Sequence, residues 1–190
     1  EVPSGEPGEL VIRHSVDTPR KGFFSGYLKN EEATETAWKG GWFHTGDAVM
    51  RDAEGKFYFM DRKKNIIRRA GENIAAAEIE ACITAHEKVK QVAVLAAPDE
   101  VREEEVMACV VARNPEDIRE ASQREAIAQS LFDWCYERMA YFKAPGWVLF
   151  VDSLPMGTSA KVQKIHIFPP GTDPRQQPGV IDLRHQKKQQ

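Results

Sequence analysis

The sequence predicts an α+β fold, in which a central sheet of about three strands is flanked by helices. Two Val-rich runs, Val89–Ala97 and Val106–Ala112, are bounded by charged turns and have the composition of strands. Ser122–Ala140 carries apolar residues at helical spacing, and Ser122 and Glu125 stand at the spacing of a capping box. Together these patterns indicate a small unit of strands and helices in the second part of the chain.

Residues 1–60 read as short strands and turns. Glu9–His14 is a predicted strand, and Glu31–Trp38 is a predicted short helix. Ala48–Arg51 and Lys56–Met60 are predicted to form a hairpin, because the turn between them begins with Asp and ends with Gly. These residues offer too few apolar anchors for a complete core of their own.

The elements of the second part follow in order along the chain. Asn65–Arg69 begins a predicted two-stranded arm, and Ala76–Thr84 is a predicted helix with one apolar face. Trp147–Val151 is predicted to close the sheet as a further strand. Residues 169–190 are polar and rich in Pro, so we expect an extended and partly disordered tail.

The composition is that of an ordinary globular protein, with 42% hydrophobic and 29% charged residues among 190. The net charge of −3 is too small to favour nucleic acid or a membrane surface as a partner. No apolar run approaches the roughly 20 residues of a transmembrane segment. The chain opens on Glu1 without an initiator Met or a signal peptide, which we interpret as a fragment or a processed piece.

The cysteine pattern argues against metal binding. Cys82, Cys109 and Cys135 are spaced too widely for a zinc knuckle or a redox pair. We expect buried thiols that pack as small apolar side chains. The pattern fits a cytoplasmic protein, and no metal site is predicted.

A Thr-Gly-Asp sequence is the first candidate site. Gly41–His44 is predicted as a strand that enters a turn at Thr45, Gly46 and Asp47. Gly46 allows the backbone to bend without the strain of a Cβ atom. A carboxylate at the tip of such a turn can accept two hydrogen bonds from a vicinal diol, as in a ribose. A solvated Asp in an ordinary hairpin turn is the alternative.

A basic segment, Asp61–Arg69, is the second candidate site. A nucleic-acid interface is disfavoured because Ile66 and Ile67 interrupt the charges and no aromatic side chains interleave for base stacking. A solvated basic face remains open. Arg suits the phosphates of a nucleotide, because its planar guanidinium matches a pair of anionic oxygens.

A lysine after a run of small residues is the third candidate. Lys161 lies in the segment Leu154–Lys164, and a Lys on such a loop can act as a point charge on a reacting carboxylate and phosphate. A lone Lys is more often solvent-facing. Lys164 is close enough to compete for the same role.

Together the segments resemble the C-terminal portion of the adenylate-forming superfamily, which includes acyl-CoA synthetases, adenylation domains of peptide synthetases and firefly luciferase. The resemblance extends from about Gly5 to Lys164 and is closest to acyl-CoA ligases of the medium-chain, aryl or carnitine-related kind. The segments that carry it are Gly22–Tyr27, Glu31–Gly41, Trp42–Asp47, Phe59–Asn73, Glu78–Glu80 and Pro155–Lys161.

The resemblance implies a role for each candidate residue. Asp47 would bind the ribose hydroxyls of ATP, with Arg62 as a second ribose or phosphate ligand. Lys64 would be the hinge between a large N-terminal domain and a small mobile one. Gly71 would line the channel for the pantetheine of CoA, where a missing side chain lets the thiol pass close to the backbone. Lys161 would be the catalytic lysine that stabilises charge while the carboxylate attacks the α-phosphate.

Further contacts follow from the same resemblance. Arg68 or Arg69 would meet phosphates of the nucleotide or of CoA. Asn73 is a cofactor-binding candidate that stands where many relatives carry Arg, two residues after the channel glycine. This chain also has Ala160 where the family usually has Gly before the catalytic lysine.

The resemblance also implies a domain organisation and a reaction. Residues 1–61 would be the last β-rich stretch of the large AMP-binding domain, residues 62–168 the mobile domain and residues 169–190 the tail. ATP with Mg²⁺ would convert a small carboxylate to an acyl-adenylate, and CoA would take the acyl group with release of AMP. The Mg²⁺ ligands and the acyl pocket would lie in the N-terminal domain, so the 190 residues alone are predicted to be inactive.

Three alternatives stay open at this point. The chain could belong to an adenylation module that loads a carrier protein, to an oxygenase of the luciferase type or to a non-catalytic domain of this fold. Neither the acyl substrate nor the oligomeric state is indicated by these residues.

Overall fold

A computed structural model describes residues 1–158 and 160–187, which divide into two compact units at the bond between Lys64 and Asn65. The sequence predicts this boundary after residue 61, slightly earlier. Arg62 and Lys63 belong to the first unit, because they form ion pairs with carboxylates of its other strands.

The first unit is a three-stranded antiparallel sheet in the order β1-β2-β3, accompanied by one short helix. Its elements are β1 (Pro7–Ile12), α1 (Glu31–Ala37), β2 (Phe43–Arg51) and β3 (Phe57–Arg62). The hairpin predicted between the last two strands is confirmed. The Asp52 side chain stabilises its turn by accepting hydrogen bonds from the backbone N–H of Lys56 (2.8 Å) and the hydroxyl of Tyr58 (2.9 Å).

The second unit is a mixed six-stranded sheet with two helices, which confirms the predicted α+β class. Its elements are β4 (Ile66–Arg69), β5 (Glu72–Ala75), α2 (Ala76–Thr84), β6 (Val89–Asp99), β7 (Glu103–Ala112), α3 (Ala121–Arg138), β8 (Trp147–Phe150) and β9 (Ile181–Asp182). The long strand β7 pairs antiparallel with β6 and parallel with β8. β4 and β5 form the predicted arm. Over the described ranges, no helix is long and apolar enough to cross a membrane.

The sheet of the second unit is covered on both faces. One face packs against α2 and α3 through fully buried side chains that include Ile79, Ile83 and Leu131. The other face is covered by the chain after β8, where Leu154 and Phe168 pack on the strands. Burial on both faces explains why the strands read as continuous apolar runs rather than as alternating ones.

The start of α3 differs from the predicted one. Glu120 is the N-cap, and its N–H donates a hydrogen bond to Gln123 Oε1 at 3.0 Å. The capping box therefore joins Glu120 and Gln123 and not Ser122 and Glu125. The reason is that Glu120 is still extended, whereas Ser122 already lies inside the helix.

The tail also departs from the prediction, because its described residues up to Lys187 are folded. Residues Pro174–Gln176 and Arg184–Gln186 form short 3-10 turns, and β9 pairs with β8. Leu183 is buried in the main core, and Lys187 is buried as well. Single buried residues of this kind cannot be recognised from a composition that is otherwise polar and rich in Pro.

Candidate functional site

The Thr-Gly-Asp sequence forms a bulge inside β2 and not the turn that the sequence predicts. Residues 45–47 lie opposite Leu10 alone on β1. Gly46 has a φ of +72°, a conformation that a Cβ would strain. The Thr45 hydroxyl stabilises the bulge, because it donates to the Leu10 carbonyl (2.7 Å) and accepts from the Asp47 N–H (3.1 Å). The irregular backbone thereby holds the Asp47 carboxylate beside the adjacent strand β3.

Asp47 and Arg62 form an ion pair that leaves one acceptor unused. Arg62 Nε lies 3.0 Å from Asp47 Oδ1, while Arg62 Nη1 donates to the Thr45 carbonyl at 3.0 Å. The Nε–H does not point at Oδ1, and this buried oxygen has no hydrogen-bond partner among the described residues. The Asp47 side chain is 27% exposed, so the carboxylate can still be reached by a ligand hydroxyl.

The arm ends in a two-residue turn with unusual backbone angles. Ala70 has a φ of +49° and Gly71 a φ of +87°, while Arg69 and Glu72 pair on either side. Two successive positive φ values are typical of a type I′ hairpin turn. Apart from its chain neighbours, no atom of the described residues lies within 4 Å of the place that a Cβ of Gly71 would take, so glycine is favoured here by the backbone angle and not by crowding. The arm tip is therefore an open backbone surface.

Lys161 lies within a tight hairpin of the chain. Met156 and Val162 form an antiparallel bridge, and the Gly157 N–H donates to the Lys161 carbonyl at 2.8 Å. Ala160 has a φ of +55°, the left-handed conformation that favours glycine. This angle gives a physical reason why Gly suits the position before the lysine. Ser159 lies outside the described residues.

Lys161 and Lys164 differ in their surroundings. Lys164 Nζ lies 2.8 Å from Glu80 Oε1, and both side chains are largely buried. Lys161 is exposed, and within 1–158 and 160–187 no carboxylate forms an ion pair with it. Of these two lysines, Lys161 is therefore the one with an exposed side chain and Lys164 the one held in an ion pair.

The family of this chain is identified by its similarity to known proteins. Residues 78–161 match the model of the AMP-binding enzyme C-terminal domain. This chain carries the C-terminal domain of an AMP-binding enzyme. The resemblance seen in the sequence is thereby confirmed.

Proteins similar to this chain include several CoA ligases. The chain is 40% identical over 168 residues to crotonobetaine/carnitine–CoA ligase of Proteus mirabilis, which covers 88% of the chain and 30% of that ligase. The o-succinylbenzoate CoA synthetase of Bacillus subtilis, solved with its acyl-adenylate intermediate, has a TM-score of 0.67 at 30% identity over 87% of the chain and 31% of its own. The anthranilate CoA ligase AuaEII with anthranoyl-AMP has a TM-score of 0.68 at 29% identity over 86% of the chain and 30% of its own. The chain thus spans about 30% of the length of the curated relatives that it matches.

The two arginines of the arm, Arg68 and Arg69, have different surroundings. Arg69 is buried, and its Nε lies 2.8 Å from Glu105 Oε2. A phosphate cannot reach this guanidinium without breaking a buried ion pair, which corrects the expectation that Arg69 is available as a ligand. Arg68 is exposed and lies opposite the exposed Asn73 on the arm. Together with the exposed Glu72, these two residues are polar groups that the arm presents to solvent.

Sequence reasoning missed a cluster around Glu9. Its carboxylate accepts a hydrogen bond from Lys63 Nζ at 2.8 Å and lies 3.1 Å from His44 Nδ1. Burial raises the pKa of Glu9, but the hydrogen bonds from Lys63 and His44 outweigh it and lower the pKa below the ordinary value. Strand pairing brings these three residues together, and no local pattern in the sequence signals it.

The residues present do not fit a divalent metal. In the part of the chain that the structure describes, no group of three or more His, Cys, Asp or Glu side chains could hold an ion. Mg²⁺ usually requires carboxylates together with phosphate oxygens and waters. No step of the chemistry below is assigned to a metal held by this chain.

Proposed function

We propose that the chain is the C-terminal part of an ATP-dependent acid–thiol ligase, which activates a small carboxylate as an acyl-adenylate and transfers it to CoA. The observation that carries the proposal is the 40% identity over 168 residues to a crotonobetaine/carnitine–CoA ligase. The reaction belongs to the whole protein, since the chain covers 30% of that relative. The proposal includes a cytoplasmic location and an N-terminal domain as the main partner.

The first half-reaction would use Lys161 and Asp47. A carboxylate oxygen of the substrate attacks the α-phosphorus of ATP, the bond to the β-phosphate oxygen breaks and pyrophosphate leaves. The exposed ammonium of Lys161 would stabilise the negative charge that develops on these oxygens. The part of the Asp47 carboxylate that is exposed would accept a hydrogen bond from a ribose hydroxyl, and Arg62 beside it would contact the same ribose or a phosphate. Mg²⁺ would accompany ATP with ligands from outside this chain.

The second half-reaction would use the arm. The thiolate of CoA attacks the acyl carbon, the mixed anhydride breaks and AMP leaves with the electron pair. Gly71 offers an exposed backbone without a side chain, which supports its assignment to the pantetheine path. Arg68 and Asn73 are exposed on the same arm and would contact a phosphate of CoA or of the nucleotide.

The unit boundary supports the assignment of Lys64 as hinge. The first compact unit ends at this residue, and the second begins at Asn65. A change of backbone angles at such a boundary would move one unit as a body without disturbing either core. The two half-reactions can then use different faces of the second unit in turn.

The proposal is tested with Lys161→Ala in the full-length protein, with Lys164→Ala as the neighbouring control. ATP–pyrophosphate exchange reports the first half-reaction, and thioester formation from supplied acyl-adenylate reports the second. We expect Lys161→Ala to lose the exchange by about 10²–10³-fold, as for removal of a group that stabilises transition-state charge, and to keep thioester formation. An unchanged exchange rate would remove Lys161 from the mechanism. Transfer to a carrier protein in place of CoA would identify an adenylation module instead.

A further inference from the structure

The C-terminal residues 174–187, called here the strap, are built into the sheet of the second unit. β9 pairs with β8, and the Leu183 N–H donates to the Gly146 carbonyl at 2.8 Å. The Leu183 side chain is part of the main core. The strap lies beyond residues 78–161, which match the family model. It is therefore an addition to the matched domain and has a structural attachment of its own.

Charged side chains fix the strap at several points. Arg184 Nη1 lies 2.9 Å from Asp99 Oδ2, and its guanidinium stacks 4.4 Å above the Trp147 ring. Gln186 and Gln129 exchange two hydrogen bonds of 2.6 and 2.7 Å. The Asp99 side chain is only 2% exposed, so its ion pair with Arg184 is shielded from water. These contacts hold the end of the strap in a fixed position on the second unit.

The last described residue, Lys187, enters a buried cluster of charges. Its Nζ donates to Glu105 Oε1 and, at 3.2 Å, to the Phe142 carbonyl. Neither Lys187 nor Glu105 has exposed side-chain surface. The other oxygen of Glu105 pairs with Arg69 at 2.8 Å, so one buried carboxylate lies between two cations. Such a cluster is stable only while every charge keeps its partners.

The backbone at Gly146 leaves room for this cluster, because glycine has no Cβ. A Cβ on Gly146 would lie 2.5 Å from Glu105 Cγ and 3.0 Å from Arg184 Cγ. No side chain can therefore replace glycine here without displacing Glu105 or the strap. The absence of a Cβ gives the carboxylate the room to face Arg69 and Lys187 at once.

The same carboxylate reaches the arm that carries Gly71. Arg69 is the last residue of β4, directly before the turn at the arm tip. In the strand ladder the arm meets β7 through one residue pair, Arg69 and Glu103. Two hydrogen bonds add to this pair: the Ala70 N–H donates to the Arg102 carbonyl (3.0 Å), and the Glu104 side chain accepts from the Arg68 N–H at 2.7 Å. The base of the arm is also packed into the main core through the fully buried side chains of Ile67 and Ile74. The ion pair of Arg69 with Glu105 adds to this packing and fixes the end of β4 that is next to the turn.

We propose that Lys187 is a positioning residue: through Glu105 and Arg69, the docked strap fixes the arm whose tip is Gly71. The role of this arm in thioester formation rests on the function proposed above. Loss of Lys187 leaves Glu105 with one cation in place of two, so the carboxylate is free to turn or to admit water. Arg69 then loses its fixed partner, and the arm opens more often.

Hydrogen exchange of the arm amides, residues 68–73, tests the coupling without any assay of activity. In the 190-residue chain, Lys187→Met is expected to accelerate this exchange by about tenfold or more, while Lys187→Arg keeps it slow. Arg175→Met is the matched control, because Arg175 anchors the strap to Glu100 at 2.8 Å and does not touch Glu105. Unchanged arm exchange in Lys187→Met, or equal acceleration in Arg175→Met, would overturn the proposal.

A second variant keeps the test decisive if Lys187→Met does not fold. Lys187→Gln retains a donor for Glu105 but removes the charge, and accelerated arm exchange is again the expected result. Arm exchange as slow as in the unsubstituted chain would reject the coupling.

The catalytic consequence is measured separately in the full-length protein. Lys187→Met is expected to slow thioester formation from supplied acyl-adenylate and to leave ATP–pyrophosphate exchange unchanged. If the arm amides respond and no ligase activity exists in the unsubstituted protein, the positioning role stands and the proposed function fails. If ligase activity is present and Lys187→Met leaves the rate of thioester formation unchanged, the catalytic part of the inference is wrong.

Discussion

Lys164 Nζ lies 2.8 Å from Glu80 Oε1, and this ion pair separates two neighbouring lysines into a bound one and an exposed one. The same oxygen of Glu80 accepts a hydrogen bond from the Val94 N–H at 2.7 Å. Glu80 therefore joins α2, strand β6 and the segment that follows Lys161. The contact anchors the chain just after the candidate catalytic lysine and leaves that lysine exposed.

Replacement of Glu80 should cost more stability than replacement of Lys164. Glu80→Ala leaves the buried Val94 N–H without an acceptor, so we expect the free energy of unfolding to fall by about 1–3 kcal/mol. Lys164→Met removes only the ion pair and keeps the aliphatic packing, with an expected loss below about 1 kcal/mol. Urea unfolding of both variants measures the difference. Equal losses would show that the ion pair, and not the backbone hydrogen bond, is the main contribution of Glu80.

Ala160→Gly should stabilise the chain. Ala160 has a φ of +55°, and release of a left-handed residue gains about 1–2 kcal/mol, from which the greater chain entropy of Gly subtracts about 0.4–1 kcal/mol. We expect a net gain of about 0–1.6 kcal/mol, visible as a higher midpoint of urea unfolding. Ala81→Gly is the control, because this exposed residue lies inside α2 and its replacement should destabilise by about 1 kcal/mol. A loss in both variants would contradict the strained geometry before Lys161.

The strands and helices that carry most of the core could be predicted from the sequence. β6, β7 and β8 are Val-rich or aromatic runs, so their burial can be predicted from composition. α2 and α3 have apolar residues at helical spacing. The hairpin turn that contains Gly55 could also be predicted, because a positive φ restricts the residues that fit, whereas the turn predicted at Gly46 is a bulge.

The remaining features depend on partners that are distant in sequence. The bulge at Asp47 exists because Thr45 finds the Leu10 carbonyl on another strand. Arg69 looks like any other basic residue of its segment until Glu105 is placed beside it. The strap is polar in composition, and its two buried residues, Leu183 and Lys187, have no period that would predict burial. The candidates Asp47, Gly71 and Lys161 could therefore be proposed from the sequence, whereas the ion pairs in their neighbourhood could not.

The three cysteines should differ in reactivity. Cys82 is partly exposed, whereas Cys109 and Cys135 are buried. Burial raises the pKa of the Cys109 thiol to about 12 and also raises the pKa of Cys135, so neither forms much thiolate near neutral pH. Mass spectrometry after brief alkylation of the native chain should find the label on Cys82 first. Equal labelling of all three under native conditions would mean that the second unit opens readily.

The stability contribution of Lys187 should increase with pH. Burial lowers the pKa of Lys187 from its ordinary 10.5 to about 8, although Glu105 acts in the opposite direction. Between these two values the unfolded chain binds this proton and the folded chain does not, so the free energy of unfolding rises with pH. The burial cost of the charged form is fully present below pH 8 and disappears as the pH approaches 10.5.

Urea unfolding of the unsubstituted chain and of Lys187→Met at pH 7 and pH 9.5 isolates this contribution, because other titrating groups are common to both proteins. We expect the difference in unfolding free energy between the two to shift in favour of the unsubstituted chain at the higher pH. Each unit of pKa displacement corresponds to about 1.4 kcal/mol, so the shift over this range should be on the order of 1–2 kcal/mol. A shift of the opposite sign would mean that the pairing of Lys187 with Glu105 outweighs its burial. The buried charge would then be a net source of stability, and raising the pH would release the strap rather than secure it.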